Sequence, residues 1–144
     1  MGRWMLHQAI IPDAILSSPA MRAQQTIELV CKEISCERAS IQWDRRVYLA
    51  SVKTLLDVIT EISPTVNHLL LVGHNPGLEE LLLYLCRDEI PRSQTGKLMA
   101  TATLAQLELH GPDSANGDQL SASSFAPQSA GLLAIDWPKQ LPAF

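Results

Sequence analysis

Apolar residues recur along the chain at a few spacings, and each spacing predicts a different element. Ala14-Ile15-Leu16 is a short apolar run that stops at Ser17-Ser18-Pro19. Serine is a favoured helix cap and proline suits the first helical position, so this run reads as a strand feeding a helix. Ala23, Ile27, Val30 and Ile34 then recur at helical spacing and predict an amphipathic helix over residues 19–35. Ile41-Gln42-Trp43 is a short strand candidate, and Val52, Leu55, Leu56, Ile59 and Ile62 form a second helical stripe that stops before Pro64.

His68-Leu69-Leu70-Leu71-Val72 is a continuous apolar run, the pattern of a strand covered on both faces. Gly73-His74-Asn75-Pro76-Gly77 follows, with Asn75 and Pro76 placed as cap and first helical residue, and then Leu78, Leu81, Leu82 and Leu85 at helical spacing. Two strand–turn–helix units of one design predict an open α/β sheet. Ala105, Leu107 and Leu109 alternate with Gln106 and Glu108, and Leu133, Ile135 and Trp137 alternate in turn. These two strands, each with a wetter face, are expected to pair antiparallel and close one side of the sheet. Residues 111–130, rich in Gly, Pro, Ser and Ala, read as a long loop. No internal repeat is present, and residues 1–144 are expected to form one domain.

Composition narrows the function classes. The 144 residues carry a formal net charge of −4, with only 18% charged, which argues against a general nucleic-acid binder with a basic face. It leaves room for a small anionic ligand, because a local basic pocket is invisible in a net sum. The longest uninterrupted apolar stretches fall far short of the roughly 20 residues that a membrane span needs, and Met1-Gly2-Arg3-Trp4-Met5-Leu6-His7 has no long apolar core of a signal peptide. The expected location is cytoplasmic, with no membrane partner. Cys31, Cys36 and Cys86 form an odd, sparse set without a CxxC pair, so buried thiols in a reducing compartment are expected. No group of His, Asp, Glu or Cys has metal-ligand spacing, and no metal is implied.

Ligands of open α/β sheets sit beyond the carboxyl ends of the strands. Arg22 falls in the first turn after the first strand, and His74 follows the later strand directly. A guanidinium grips a phosphate through two parallel hydrogen bonds, and an imidazole near neutral pH adds a tunable charge. Taken singly, such an arginine is more often a solvated surface residue and such a histidine a turn or core residue.

The residue strings add a family resemblance. Ile15-Leu16-Ser17-Ser18-Pro19-Ala20-Met21-Arg22-Ala23-Gln24-Gln25-Thr26 resembles the SSPxxRAxQT signature of the histidine phosphatase superfamily. Leu71-Val72-Gly73-His74-Asn75-Pro76-Gly77-Leu78 resembles the VGHNPGL signature of its small SixA-type phosphohistidine phosphatases. Fainter similarity continues at Arg46-Val47-Tyr48-Leu49-Ala50-Ser51, at Ala102-Thr103-Leu104-Ala105-Gln106-Leu107-Glu108-Leu109 and at Trp137-Pro138-Lys139-Gln140-Leu141, in the family's order. The resemblance implies a three-layer α/β/α, phosphoglycerate mutase-like fold with a mostly parallel sheet. It implies that Arg22 binds the transferred phosphoryl group, that His74 contacts the same group and stabilises its charge, and that Asn75 lies with them at the substrate. No cofactor is implied. The partner would be a protein bearing phosphohistidine, or a small phosphate ester; oligomeric state is left open.

The sequence also departs from the family. Members begin with a strand ending in Arg-His-Gly, whose histidine is the nucleophile, and none of the four histidines here follows an arginine. Leu109-His110-Gly111 ends a late strand and matches a different part of the family, while Met1-Gly2-Arg3-Trp4-Met5-Leu6 resembles the helix after the missing motif. The first strand is therefore expected to be missing and the chain to be N-terminally truncated. By the same resemblance that strand is central, so its neighbours either pair directly or leave an association-prone edge.

Three readings follow: a phosphohistidine phosphatase-like protein impaired by the absent nucleophile, a catalytically dead phosphate or phosphohistidine binding module, and a small-molecule phosphomonoesterase of the same superfamily. Glu79 and Glu80 suit the helix dipole better than acid catalysis. Arg45 and Arg46 read as loop or surface charges, His68 as structural, and Trp4, Trp43 and Trp137 as core or rim aromatics.

Overall fold

The computed structural model describes residues 1–36, 40–109 and 125–141. Most of the expected 111–130 loop, with His110 and Gly111, lies outside the described residues. The elements run α1 (Gly2–His7), β1 (Ala14–Ser17), α2 (Met21–Ile34), β2 (Ile41–Trp43), α3 (Val52–Thr60), β3 (Leu69–Val72), α4 (Gly77–Leu85), β4 (Leu104–Leu109) and β5 (Ala130–Asp136). Single helical turns at Arg45–Val47 and Pro138–Gln140 complete the described order.

β1 is the centre of a parallel sheet ordered β2-β1-β3, while β4 and β5 pair antiparallel as a separate two-stranded sheet. The alternation of a strand's side chains builds the layers. Ile15, Leu70 and Val72 pack with Met5, Ile27, Val30 and Ile34 of α1 and α2. Leu16, Leu69 and Leu71 pack with Leu55, Val58, Leu81 and Leu85 of α3 and α4. Helices thus cover both faces of the parallel sheet, giving the open α/β sheet that the two strand–turn–helix units predicted and the three-layer α/β/α architecture that the family resemblance implied. A third cluster of Leu82, Cys86 and Leu98 joins α4 to Ala105, Leu107, Leu132 and Ile135 of the antiparallel pair.

The strand expected to be covered on both faces, β3, is half-buried along its whole length. Its faces have partners, but among the described residues its ladder runs to β1 alone, and that of β4 runs to β5 alone. The flanking strands do not close up by pairing directly. Instead β3 and β4 both line a cleft of about 1540 Å3, walled by Leu70, Val72, Leu104 and Leu107 among others. Unpaired strand edges are ready templates for another chain.

The cysteines depart from expectation. Cys31 and Cys36 form a disulfide, and only Cys86 is a buried free thiol. Helical geometry would hold residues five apart on different faces, but α2 ends at Ile34. Ser35 then takes a left-handed conformation (φ 57°), and the Cys36 N–H returns to the Cys31 carbonyl at 3.0 Å. The two cysteines meet because the helix does not continue through them.

The β3 and β4 edges left unpaired among the described residues carry a testable consequence: self-association that grows with protein concentration, read by sedimentation velocity over a wide concentration range. A chain that remains strictly monomeric throughout would show that those edges are shielded.

Candidate functional site

The site is assembled by the pairing of β1 with β3. Ser17 is in register with Val72, and the Ser18 N–H donates to the Val72 carbonyl at 2.9 Å. The two strands therefore deliver Ser18 and His74 side by side at their carboxyl ends, although 56 residues separate them in the chain. The Ser18 Oγ lies 2.7 Å from His74 Nε2, with both residues buried. Arg22, in the first turn of α2, donates from Nε to His74 Nδ1 at 3.0 Å. Arg22 and His74, singled out separately by their places after two strands, meet at one pocket.

These contacts fix the chemistry of the imidazole. A guanidinium has only donors, so Nδ1 must accept and the neutral ring carries its proton on Nε2, directed at Ser18. Burial, and secondarily the Arg22 charge, hold the His74 pKa below its ordinary value of 6.5. His74 is thus a neutral ring at neutral pH that aligns a guanidinium. Among the described residues, no protein group engages the two terminal nitrogens of Arg22, and Arg22 is exposed. Those nitrogens form the planar fork suited to two oxygens of one anion.

Tyr48 completes the cluster. Its ring meets the His74 ring edge-on at 5.1 Å, and the Arg22 Cζ lies 5.7 Å from its centroid. Neither Ser18 nor Tyr48 was expected at the site. Ser18 had been assigned to a cap, and it does accept from the Ala20 N–H at 3.3 Å, but α2 begins at Met21 with Ala20 as its N-cap. Tyr48 stood inside a string of family resemblance with no chemical signal of its own.

Asn75, expected at the substrate, lines the same cleft as Arg22 and His74 and also holds the structure beside it. Its side-chain nitrogen donates to the Met99 carbonyl at 2.7 Å and to Glu79 Oε1 at 3.3 Å, and Glu79 Oε1 also accepts from the Met99 N–H at 2.9 Å. The pair clips the segment around Met99 to α4, leaving only the Asn75 carbonyl oxygen, an acceptor, to face solvent or ligand. α4 itself begins at Gly77, with Pro76 as its N-cap. Glu79 is accordingly structural. Arg46 is held between Asp44 at 2.7 Å and Glu61 at 2.5 Å. His68 is exposed at the amino end of β3, opposite the end that carries His74, and His7 is exposed on α1. Trp43 packs against the α1/α2 core, and Trp137 Nε1 donates to the Leu98 carbonyl at 3.0 Å.

The pocket opens into the cleft beside β3, which Arg22 and His74 line together with Arg92 and Lys97. Among the described residues no cluster of His, Cys, Asp or Glu could hold a metal ion, and no helix is long and apolar enough to cross a membrane.

Comparison with solved structures gives this geometry a context. The chain is similar to the candidate phosphohistidine phosphatase SixA from Agrobacterium tumefaciens, at 31% identity and a TM-score of 0.50, over 56% of this chain and 50% of that one. The match thus spans about half the length of that relative. The structure of the SixA described from Nakamurella multipartitia, also a candidate phosphohistidine phosphatase, superposes over 95% of this chain and 77% of its own, with a TM-score of 0.69 at 20% identity. The protein histidine phosphatase SixA complexed with tungstate superposes over 83% and 73% of the two chains, with a TM-score of 0.63 at 23% identity. No protein-family model and no curated protein matches the chain.

The depressed pKa of His74 links folding to pH. The unfolded chain binds the proton more readily than the folded one, so stability is fully present above the ordinary value of 6.5 and declines as pH falls below it. Melting temperatures of the wild type and His74→Gln across this range check the link. The wild type should lose stability on acidification more steeply than the variant, and parallel curves would exclude His74 as the source.

Proposed function

From a chain that has the SixA-like fold of the histidine phosphatase superfamily, we propose that the Arg22–His74 pocket receives the phosphoryl group of a phosphohistidine carried on a protein. The observation that carries this reading is the 3.0 Å bond from Arg22 Nε to His74 Nδ1. It fixes the guanidinium through Nε and leaves both terminal nitrogens without a protein partner among the described residues. Catalysis of phosphoryl transfer rests largely on holding and neutralising the phosphoryl oxygens, and this pair supplies that function.

Attack on phosphorus is a separate requirement, and the same geometry bears on it. A nucleophilic imidazole needs a free nitrogen lone pair aimed at phosphorus. His74 has its Nδ1 lone pair on Arg22 and its Nε2 against Ser18, so it is occupied as a positioning group. No second imidazole stands at the pocket among the described residues. We therefore assign the 144-residue chain to phosphoryl binding with little or no turnover. The cleft leading to the pocket, at about 1540 Å3, suits the approach of a protein segment better than enclosure of a small ester.

Titration with phosphate or tungstate tests the binding half. Arg22→Ala should weaken the affinity about 10- to 100-fold, the range expected for losing hydrogen bonds to a charged group. Unchanged affinity would reject the pocket. A phosphohistidine dephosphorylation assay on the same chain should give little or no release of phosphate, and full turnover would reject the assignment as a binder.

A further inference from the structure

The segment from Asp44 to Ala50 is held at more points than a connecting loop requires. The Asp44 carboxylate accepts from the Arg46 N–H at 2.8 Å, and Arg46 bridges to Glu61 beyond α3. Val47 is only 1% exposed and belongs to the α3/α4 core. Two glycines make room for the segment. A Cβ on Gly73 would lie 3.2 Å from Val47 Cγ1, and one on Gly77 would clash with the Ala50 carbonyl oxygen. The chain then passes through Leu49 at φ 48°, a left-handed conformation that a leucine rarely adopts. Such a conformation persists where the surroundings over-determine it, often beside a functional site. What the anchored segment carries to the pocket is the ring of Tyr48, which is 49% exposed and touches Arg22 and His74 at once.

We infer that Tyr48 is a positioning residue for the anion pocket, its ring face holding the Arg22 guanidinium in plane and its body shielding the His74 imidazole. The inference rests on the phosphoryl-binding reading for its purpose but not for its geometry. The negative face of an aromatic ring attracts a guanidinium without using any of its N–H groups. Tyr48 can therefore restrain Arg22 and leave its terminal nitrogens free for an anion. Arg22, Ser18 and Tyr48 all meet the His74 ring, so loosening Tyr48 also relaxes the surroundings that keep that ring neutral.

The test uses Tyr48→Phe, Tyr48→Leu and Tyr48→Ala in the full chain, with two readouts. In the absence of any anion, NMR titration of His74 should give the wild-type pKa for Tyr48→Phe and a higher one for Tyr48→Ala. With inorganic phosphate as the probe, Tyr48→Phe should bind like the wild type. Tyr48→Leu and Tyr48→Ala should bind about two- to fivefold more weakly, the range that a partly exposed cation–π contact supports. The leucine variant keeps apolar bulk without a ring face, so it separates loss of the ring from loss of packing. An unchanged His74 pKa in Tyr48→Ala, or a phenylalanine variant as impaired as the alanine one, would overturn the inference. If the wild type binds no phosphate while the His74 pattern holds, the phosphoryl-binding reading fails and the positioning role stands.

Discussion

A single hydrogen bond, from the Arg22 Nε to the His74 Nδ1 at 3.0 Å, ties the first turn of α2 to the turn after β3 across 52 residues of sequence. Everything proposed for the pocket depends on it. It selects the imidazole tautomer, leaves the terminal nitrogens of the guanidinium free for a ligand and places a positive charge beside a ring that burial already keeps neutral. The bond exists because β1 and β3 are adjacent and parallel, in register from Ala14 with Leu69 to Ser17 with Val72. Adjacent parallel strands end at the same edge, and here each feeds a turn that presents one polar side chain there. The apolar clusters on both faces of the sheet serve the site by fixing that register.

Around this bond the structure combines rigidity with an opening. On one side, the Asp44–Ala50 segment, anchored by buried Val47, and the Asn75–Glu79 clip lock the surroundings of His74 through side-chain hydrogen bonds to backbone groups. On the other side, β3 and β4, whose facing edges are unpaired among the described residues, line a cleft that reaches the pocket. A pocket that must hold an anion in one geometry benefits from the first property, because preorganised donors lose less on binding. Access for a group borne on a protein requires the second.

Much of this was legible in the sequence. Two strand–cap–proline patterns located Arg22 and His74 at the sheet edge, and helical stripes at Ala23–Ile34 and Leu78–Leu85 gave the layers, because these signals depend on nearest neighbours in the chain. Side-chain partnerships were not legible. Ser18 reads as a cap and also serves His74, and Asn75 reads as a ligand group and also clips Met99. Whether a short polar side chain turns to its own backbone or to a distant element depends on what packs above it. Tyr48 had no local signature, since its partners lie 26 residues before and after it. The Cys31–Cys36 pairing depends on a left-handed residue at Ser35, which an ordinary serine in the sequence does not announce.

The most direct test of the central bond is the protonation pattern of the His74 ring, read from its two nitrogen-15 chemical shifts at neutral pH in the free protein. An Nδ1 acceptor aligned by Arg22 requires a neutral ring protonated on Nε2, with an unprotonated, hydrogen-bonded Nδ1 that loses this signature in Arg22→Ala. A ring protonated on Nδ1, whether neutral or as the imidazolium, would mean that Arg22 does not donate to it and that the pocket is not organised as described.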